Sequence, residues 1–175
     1  NQKNGTFREQ LEEDIHELSM NSMGADIADI NNDGNPDIYV TDMLPQQESR
    51  VKTKTNFENW DKYESNIANG YYKQFVRNVV QLNNGNNTFS EIGRLAGVYA
   101  TDWSWGALIT DLNNDGWDDL VVAGEWMAVK IFMNKNGRFT ASEIQASTGL
   151  WQTIYTTDIN GDGFTDILAG NWGHN

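Results

Sequence analysis

The chain is 175 residues long, has a formal net charge of −13 and contains no cysteine. That length builds one domain with a real core, and the acidity speaks against nucleic acid or an anionic membrane surface as partner. No disulfide, thiolate metal site or thiol nucleophile can form, and no apolar run approaches the ~18 residues of a membrane span, so direct membrane insertion is not expected.

In chain order, Lys3-Asn4-Gly5-Thr6-Phe7 reads as a hairpin turn leading into a strand. Opening on Asn1-Gln2-Lys3 without an initiator Met, the chain reads as a mature product or an excised piece. A strand over 24–30 runs into the loop Asp29-Ile30-Asn31-Asn32-Asp33-Gly34-Asn35-Pro36-Asp37, and a second strand leaves it over 37–42. Residues 44–78 then differ in chemistry, holding six of the twelve basic residues and six aromatics. Within them Phe57, Trp60, Tyr63 and Ile67 are spaced for one helix face, Asn56 is the expected N-cap and Asn69-Gly70 the stop signal. Strands follow over 79–83 and 88–92, separated by Gly85-Asn86-Asn87-Thr88-Phe89, a second copy of the turn-plus-Phe element. The next strand, 106–112, enters Asp111-Leu112-Asn113-Asn114-Asp115-Gly116-Trp117-Asp118-Asp119, and strands over 119–124, 129–134 and 138–144 follow, the last two joined by Lys135-Asn136-Gly137-Arg138-Phe139. A strand over 153–159 reaches the third loop, Asp158-Ile159-Asn160-Gly161-Asp162-Gly163-Phe164-Thr165-Asp166, and a strand over 166–170 leaves it.

The three loops share the pattern D-x-N-x-D-G-x-x-D. Side-chain oxygens at positions 1, 3, 5 and 9 converge if the backbone turns sharply at the Gly of position 6, and the carbonyl of position 7 completes a shell for a hard divalent cation. The expected ligands are Asp29, Asn31, Asp33, Asn35 and Asp37; Asp111, Asn113, Asp115, Trp117 and Asp119; and Asp158, Asn160, Asp162, Phe164 and Asp166, with Asn35, Trp117 and Phe164 acting through their carbonyls. An EF-hand would need a bidentate Glu at position 12 and flanking helices. Position 12 is Val40, Val122 and Ala169, and the flanks alternate like strands. Turn chemistry alone also favours Asn, Asp and Gly, but three copies with every ligand position intact point to as many as three Ca2+ ions. Nine of the 25 acidic residues sit at these positions, and three calcium ions would bring the formal charge to −7.

Spacing sets the architecture. Phe7 to Asp29 and Phe89 to Asp111 are both 22 residues, and the period from Asp111 to Asp158 is 47. That period suits four short antiparallel strands, the blade of a β-propeller. The expected fold is all-β: the end of one blade over 1–20, a blade with a helical insertion over 21–93, a second blade over 101–147 and the start of a third over 150–175. Trp103, Trp105, Trp126, Trp151 and Trp172 sit in or beside strands and are expected between blades.

Met23-Gly24-Ala25 and Trp105-Gly106-Ala107, each just ahead of a loop, together with the loops, resemble FG-GAP or VCBS repeats. The third copy departs, with Gln152-Thr153-Ile154 in that place. The run from Met23 through the insertion to Trp105 looks like the cartilage-acidic-protein-like branch of secreted or surface-anchored bacterial proteins. The resemblance implies a calcium-loaded propeller acting outside the cell or at its surface as a scaffold for a protein or glycan ligand, with Trp60, Tyr71 and Tyr72 as candidate contact residues. An alternative is part of a calcium-dependent polysaccharide-degrading, lyase-like enzyme. The residues offer little for it: His16 and His174 lie in different repeats, no acid-base set converges, and Asp118 is a spare carboxylate beside the second loop.

Overall fold

The structure is a computed structural model and describes residues 2–55 and 59–173. In chain order it comprises α1 (Leu11–Asp14), β1 (Leu18–Ser19), β2 (Gly24–Ala28), β3 (Asp37–Thr41), α2 (Glu48–Lys54), α3 (Trp60–Ala68), β4 (Gln74–Phe75), β5 (Val79–Asn83) and β6 (Phe89–Glu91). There follow β7 (Trp103–Thr110), β8 (Asp119–Met127), β9 (Lys130–Lys135), β10 (Arg138–Glu143), β11 (Gly149–Thr157) and β12 (Asp166–Asn171). The fold is all-β with short helices. One antiparallel sheet has the order β2-β3-β5-β6, a second runs β7-β8-β9-β10, and β11 and β12 form a hairpin beyond it. These are propeller blades.

The stacking follows from which strands are apolar on both faces. Leu120-Val121-Val122-Ala123 of β8 is a continuous buried run. Leu120 and Val122 pack with Tyr39 and Val80 of the first sheet and with Ile30 and Val98 of its connecting segments, while Val121 and Ala123 face Trp151, Ile154 and Ile167 of the third blade. Alternate residues therefore serve opposite neighbours, as in any strand covered on both sides. In β3, by contrast, burial alternates along the strand: Asp37, Tyr39 and Thr41 are buried, Ile38 and Val40 only partly.

The inner strands approach closely. β2 packs on β7, and β7 on β11. A Cβ added to Gly24 would run into the carbonyl oxygen of Trp105, and one added to Gly106 would lie 3.1 Å from Ile154 Cγ1. The Gly-Ala element thus marks where one inner strand lies against the backbone of the next, not a turn.

Several expectations need correction. The turn at residues 2–6 forms, closed by Gln2 N–H to the Thr6 carbonyl (2.8 Å), but Phe7 is exposed and starts no strand, because it meets no ladder partner among the described residues. In the turns at Asn4 and Asn86, the Asn Oδ1 accepts from the Thr two residues on, at both N–H and hydroxyl. The N-cap of α3 is Asn59, whose Oδ1 accepts the Lys62 N–H at 3.1 Å; Asn56 and Phe57 lie outside the described residues. Of the five tryptophans expected between blades, Trp151 packs against the β8 core, and Trp103 and Trp105 are partly buried. Trp126 and Trp172 are instead 64% and 76% exposed. Glu125 pairs with Leu150 and Met127 with Gly149, which leaves Trp126 as the extra residue of a bulge, at φ 56°, turned outward.

Gly24→Ala is expected to cost about 1–3 kcal/mol of unfolding free energy by overpacking against a rigid carbonyl. Gly106→Ala should cost less, since a flexible Ile side chain can give; paired urea titrations check the order.

Candidate metal centre

Each nine-residue loop ties itself into the same shape with its own carboxylates. At position 1, Asp29, Asp111 and Asp158 accept the position-5 N–H on Oδ1 at 3.0, 3.1 and 3.2 Å. Their Oδ2 atoms accept the position-6 Gly N–H at 2.7, 2.8 and 2.8 Å. Those glycines have φ of 87°, 86° and 87°, the left-handed turn that this position requires. At position 5, Asp33, Asp115 and Asp162 accept the N–H of Asn35, Trp117 and Phe164 at 2.8, 3.0 and 2.9 Å. The amides of Asn31, Asn113 and Asn160 donate to the other oxygen of these carboxylates at 2.9, 3.1 and 2.9 Å. The backbone wrap is therefore preset in all three copies.

Position 9 serves the surrounding sheets as well. Asp37 and Asp119 are buried, and each bridges two backbone N–H groups. Asp37 takes Ile30 at 3.1 Å and Asn83 at 2.7 Å; Asp119 takes Leu112 at 3.2 Å and Asn134 at 2.7 Å. Asp166 accepts from Ile159 at 2.9 Å. The pattern marks these aspartates as expected metal ligands, and it gives no sign that Asp37 and Asp119 fasten the loop to the third strand of the blade.

The two kinds of carboxylate titrate in opposite directions. The Asn31 amide and then the Asn35 N–H hold Asp33 below the usual range; the Phe164 N–H does the same for Asp162, and the Gly163 N–H for Asp158. Burial pushes Asp37 and Asp119 up, opposed by their backbone donors and reinforced by neighbouring carboxylates. Asp118 is also raised, by burial and by the charges of Asp111, Asp119 and Asp29.

Among the described residues, no group of three or more His, Cys, Asp or Glu side chains is placed by itself to hold a metal ion. The donor set in each loop is mixed: carboxylates at positions 1 and 5, an amide at position 3, a carbonyl at position 7, and a position-9 carboxylate already engaged. All are oxygen donors, which fits a hard cation, and a carboxylate oxygen that accepts one N–H keeps a lone pair for a second partner.

A family model for the FG-GAP-like repeat matches residues 67–122 and again residues 111–169, together more than half of the chain. The chain belongs to the FG-GAP-like repeat family. No curated protein matches it. The FG-GAP-like matches include the second and third loops; the first, residues 29–37, precedes them yet makes the same bonds.

These FG-GAP-like loops are also joined to one another. At position 4, Asn32 and Asn114 adopt φ of 57° and 59° and donate their side-chain amides to Gly116 and Gly163 of the following loop, at 2.9 and 3.0 Å. The third loop has Gly161 there, with the same left-handed turn (φ 77°) and no side chain to pass on. Position 4 is variable in the ligand pattern, so reading for ligands overlooked it; the repeated Asn was the available signal.

The expected partner residues lie apart from the loops. Trp60 and Tyr71 are 68% and 60% exposed, while Tyr72 is half-buried and donates its hydroxyl to the Ile15 carbonyl at 2.7 Å. Trp60 stacks on Tyr63 (5.4 Å between centroids) and Tyr63 on Phe75 (5.7 Å). His16 is exposed, and His174 lies outside the described residues.

Asn114→Gly, which keeps the left-handed turn and removes only the latch, is expected to lower stability by about 1 kcal/mol. Asn114→Ala should cost about 1–2 kcal/mol more, because it strains the backbone as well. Calorimetric melting of the two variants measures the difference.

The raised groups mean that the folded chain binds more protons than the unfolded one above the ordinary carboxylate range, so stability there rises as pH falls. In chelator, the melting temperature should therefore increase from about pH 7 to about pH 5, and the lowered groups should reverse the trend only below about pH 4.

Proposed function

We propose that this FG-GAP-like segment is a calcium-stiffened scaffold that works outside the cytoplasm, on a cell surface or in secreted form, and presents the insertion over 44–78 to a protein or glycan ligand. The observation that carries the reading is the threefold repetition of one oxygen-only loop, bond for bond. Asp29, Asn31, Asp33, Asp37 and the Asn35 carbonyl would hold the first ion, with the corresponding residues of the other loops holding two more. When bound, such an ion supplies charge: it neutralises carboxylates that otherwise repel each other within a chain of net charge −13. Where calcium is millimolar, this binding stabilises the fold by mass action; at resting cytosolic levels it adds little, which favours an extracytoplasmic setting. The finer resemblance to the cartilage-acidic-protein-like branch agrees with that setting.

The insertion suits display because its base is fastened while its described helices stay near the surface. Arg50 forks onto Asp102 at 2.6 and 2.8 Å, and the Asp102 N–H reaches the Leu44 carbonyl at 2.9 Å. Buried Asp42 accepts from Ser19 Oγ at 2.6 Å and Asn21 Nδ2 at 2.8 Å, while its N–H is held by Asn78 Oδ1 at 2.7 Å. No residue of α2 or α3 is itself buried.

Thermal unfolding in millimolar calcium, in excess chelator and in magnesium tests the reading. Each site should add about 2.7 kcal/mol when calcium is a hundredfold above its dissociation constant, and magnesium should add little. Asp115→Asn should remove about a third of the calcium-dependent gain. A midpoint indifferent to calcium would refute the proposal.

A further inference from the structure

Among the described residues, all three bulges of the sheets fall at one end of the blades. In β7 the pairing steps from Ser104 opposite Gly124 to Gly106 opposite Ala123 and leaves Trp105 over. In β8 the extra residue is Trp126, and in β11 it is Gln152, between the pairs of Trp151 with Asn171 and Thr153 with Gly170. One rung joins these strands there: Trp103 pairs with Glu125, Glu125 with Leu150, and the Trp172 N–H reaches the Leu150 carbonyl at 2.9 Å. The rung lies where β8 and β12 finish, away from the repeated loops. It also adjoins the base of the insertion, because Asp102, next to Trp103, holds Arg50. Bulges re-aim side chains and gather beside active sites.

Trp126 is placed at a cost. Its φ of 56° is left-handed backbone, unfavourable for any side chain with a Cβ, and at 64% exposure it gains little burial in return. Trp172, 76% exposed, stands two strands away, ~10 Å at the spacing of a sheet. The intervening strand contributes exposed Gln152 and Thr153, and half-buried Glu125 lies on the rung itself.

The chemistry of this surface selects among ligands. A protein hot spot is ringed by contacts that exclude water, whereas these indoles stand among an amide, a hydroxyl and a carboxylate. A cage for an organic cation needs rings within ~6 Å of one centre, closer than two strands allow. Glu125 and the net charge of −13 oppose nucleic acid and acidic polysaccharide. A neutral sugar has an apolar C–H face for an indole and a rim of hydroxyls for amide and carboxylate. Two rings this far apart do not grip one sugar between them, but each can stack on its own unit of an extended chain. We infer that this rung binds a neutral oligosaccharide, one unit on Trp126 and another on Trp172, with hydroxyls on Glu125 and Gln152. The inference goes beyond the scaffold reading: it names the ligand class and places it on the blade ends beside the insertion.

The test is isothermal titration and tryptophan fluorescence of the full chain, at fixed calcium. The probes are cellohexaose, xylohexaose, mannohexaose and hexa-N-acetylchitohexaose with their monosaccharides, together with polygalacturonate and choline. At least one neutral hexaose should bind, and about tenfold or more tightly than its monosaccharide, as two linked contacts require. Trp126→Gly should weaken that binding about tenfold, the loss of one aromatic anchor, while the melting temperature holds or rises because glycine accepts φ 56° freely. Trp172→Ala should weaken it similarly without a change in melting, and Phe7→Ala, an exposed aromatic outside the rung, should leave it unchanged. No binding of any neutral hexaose, binding of polygalacturonate or choline alone, or indifference to both tryptophan variants would overturn the inference. So would loss of binding in Trp60→Ala alone, which assigns the glycan to the insertion, or self-association in sedimentation that Trp126→Gly abolishes, which assigns the rung to a second copy. Melting with and without calcium separates this inference from the scaffold reading. A calcium shift without hexaose binding removes only the glycan rung, and hexaose binding without a calcium shift removes only the calcium scaffold.

Discussion

The buried carboxylate at position 9 is the contact on which the rest of this structure depends. Asp119 holds the N–H of Leu112 in its own loop and that of Asn134 on the neighbouring strand, and Asn134 in turn donates to the carbonyls of Ile30 and Asp118. One side chain thus joins the second loop to its blade and, through Asn134, to the first loop. Asp37 does the equivalent in the first blade, where Asn83 returns a bond to the Pro36 carbonyl. Burying an ionised group is costly unless every lone pair is used, and the raised titration of both aspartates is the mark of that cost. A cation nearby would offset it.

Around that clamp the loops form a connected row. The position-4 latches run from the first loop to the second and from the second to the third, and the Asp26 carboxylate accepts the Ile109 N–H at 2.7 Å. Change at one loop is therefore felt in the next. The aromatic insertion lies after β3, at the end of that strand away from its loop. The insertion and the repeated loops thus occupy separate parts of the chain, so the insertion can vary without disturbing the loops.

Much of this was legible in the sequence because repetition removes ambiguity. A single D-x-N-x-D-G-x-x-D loop could be an ordinary turn; three, each flanked by alternating apolar residues, specify strand, loop and strand. The strands expected over 79–83 and 138–144 form as β5 and β10 to within a residue. The Gly of the Gly-Ala element has a physical cause in the approach of adjacent inner strands, and Thr153 shows that the third copy is not bound by it. What misled was treating residue type as destination. Trp126 and Trp172 are as apolar as Trp151, but a bulge turns Trp126 out, and no spacing rule announces a bulge.

By itself the sequence determined the strand order within each blade, the loop that joins the inner pair of strands, and the oxygen-only donor set of each loop. These are local properties, governed by period, turn chemistry and ligand spacing. Only the tertiary structure decided that position-9 aspartates clamp across strands and that position-4 asparagines latch loop to loop. Each of these joins residues far apart in the chain, up to 104 positions in the case of Asn134 and Ile30. Local pattern does not encode which distant backbone group a polar side chain will meet; packing of one blade on the next does.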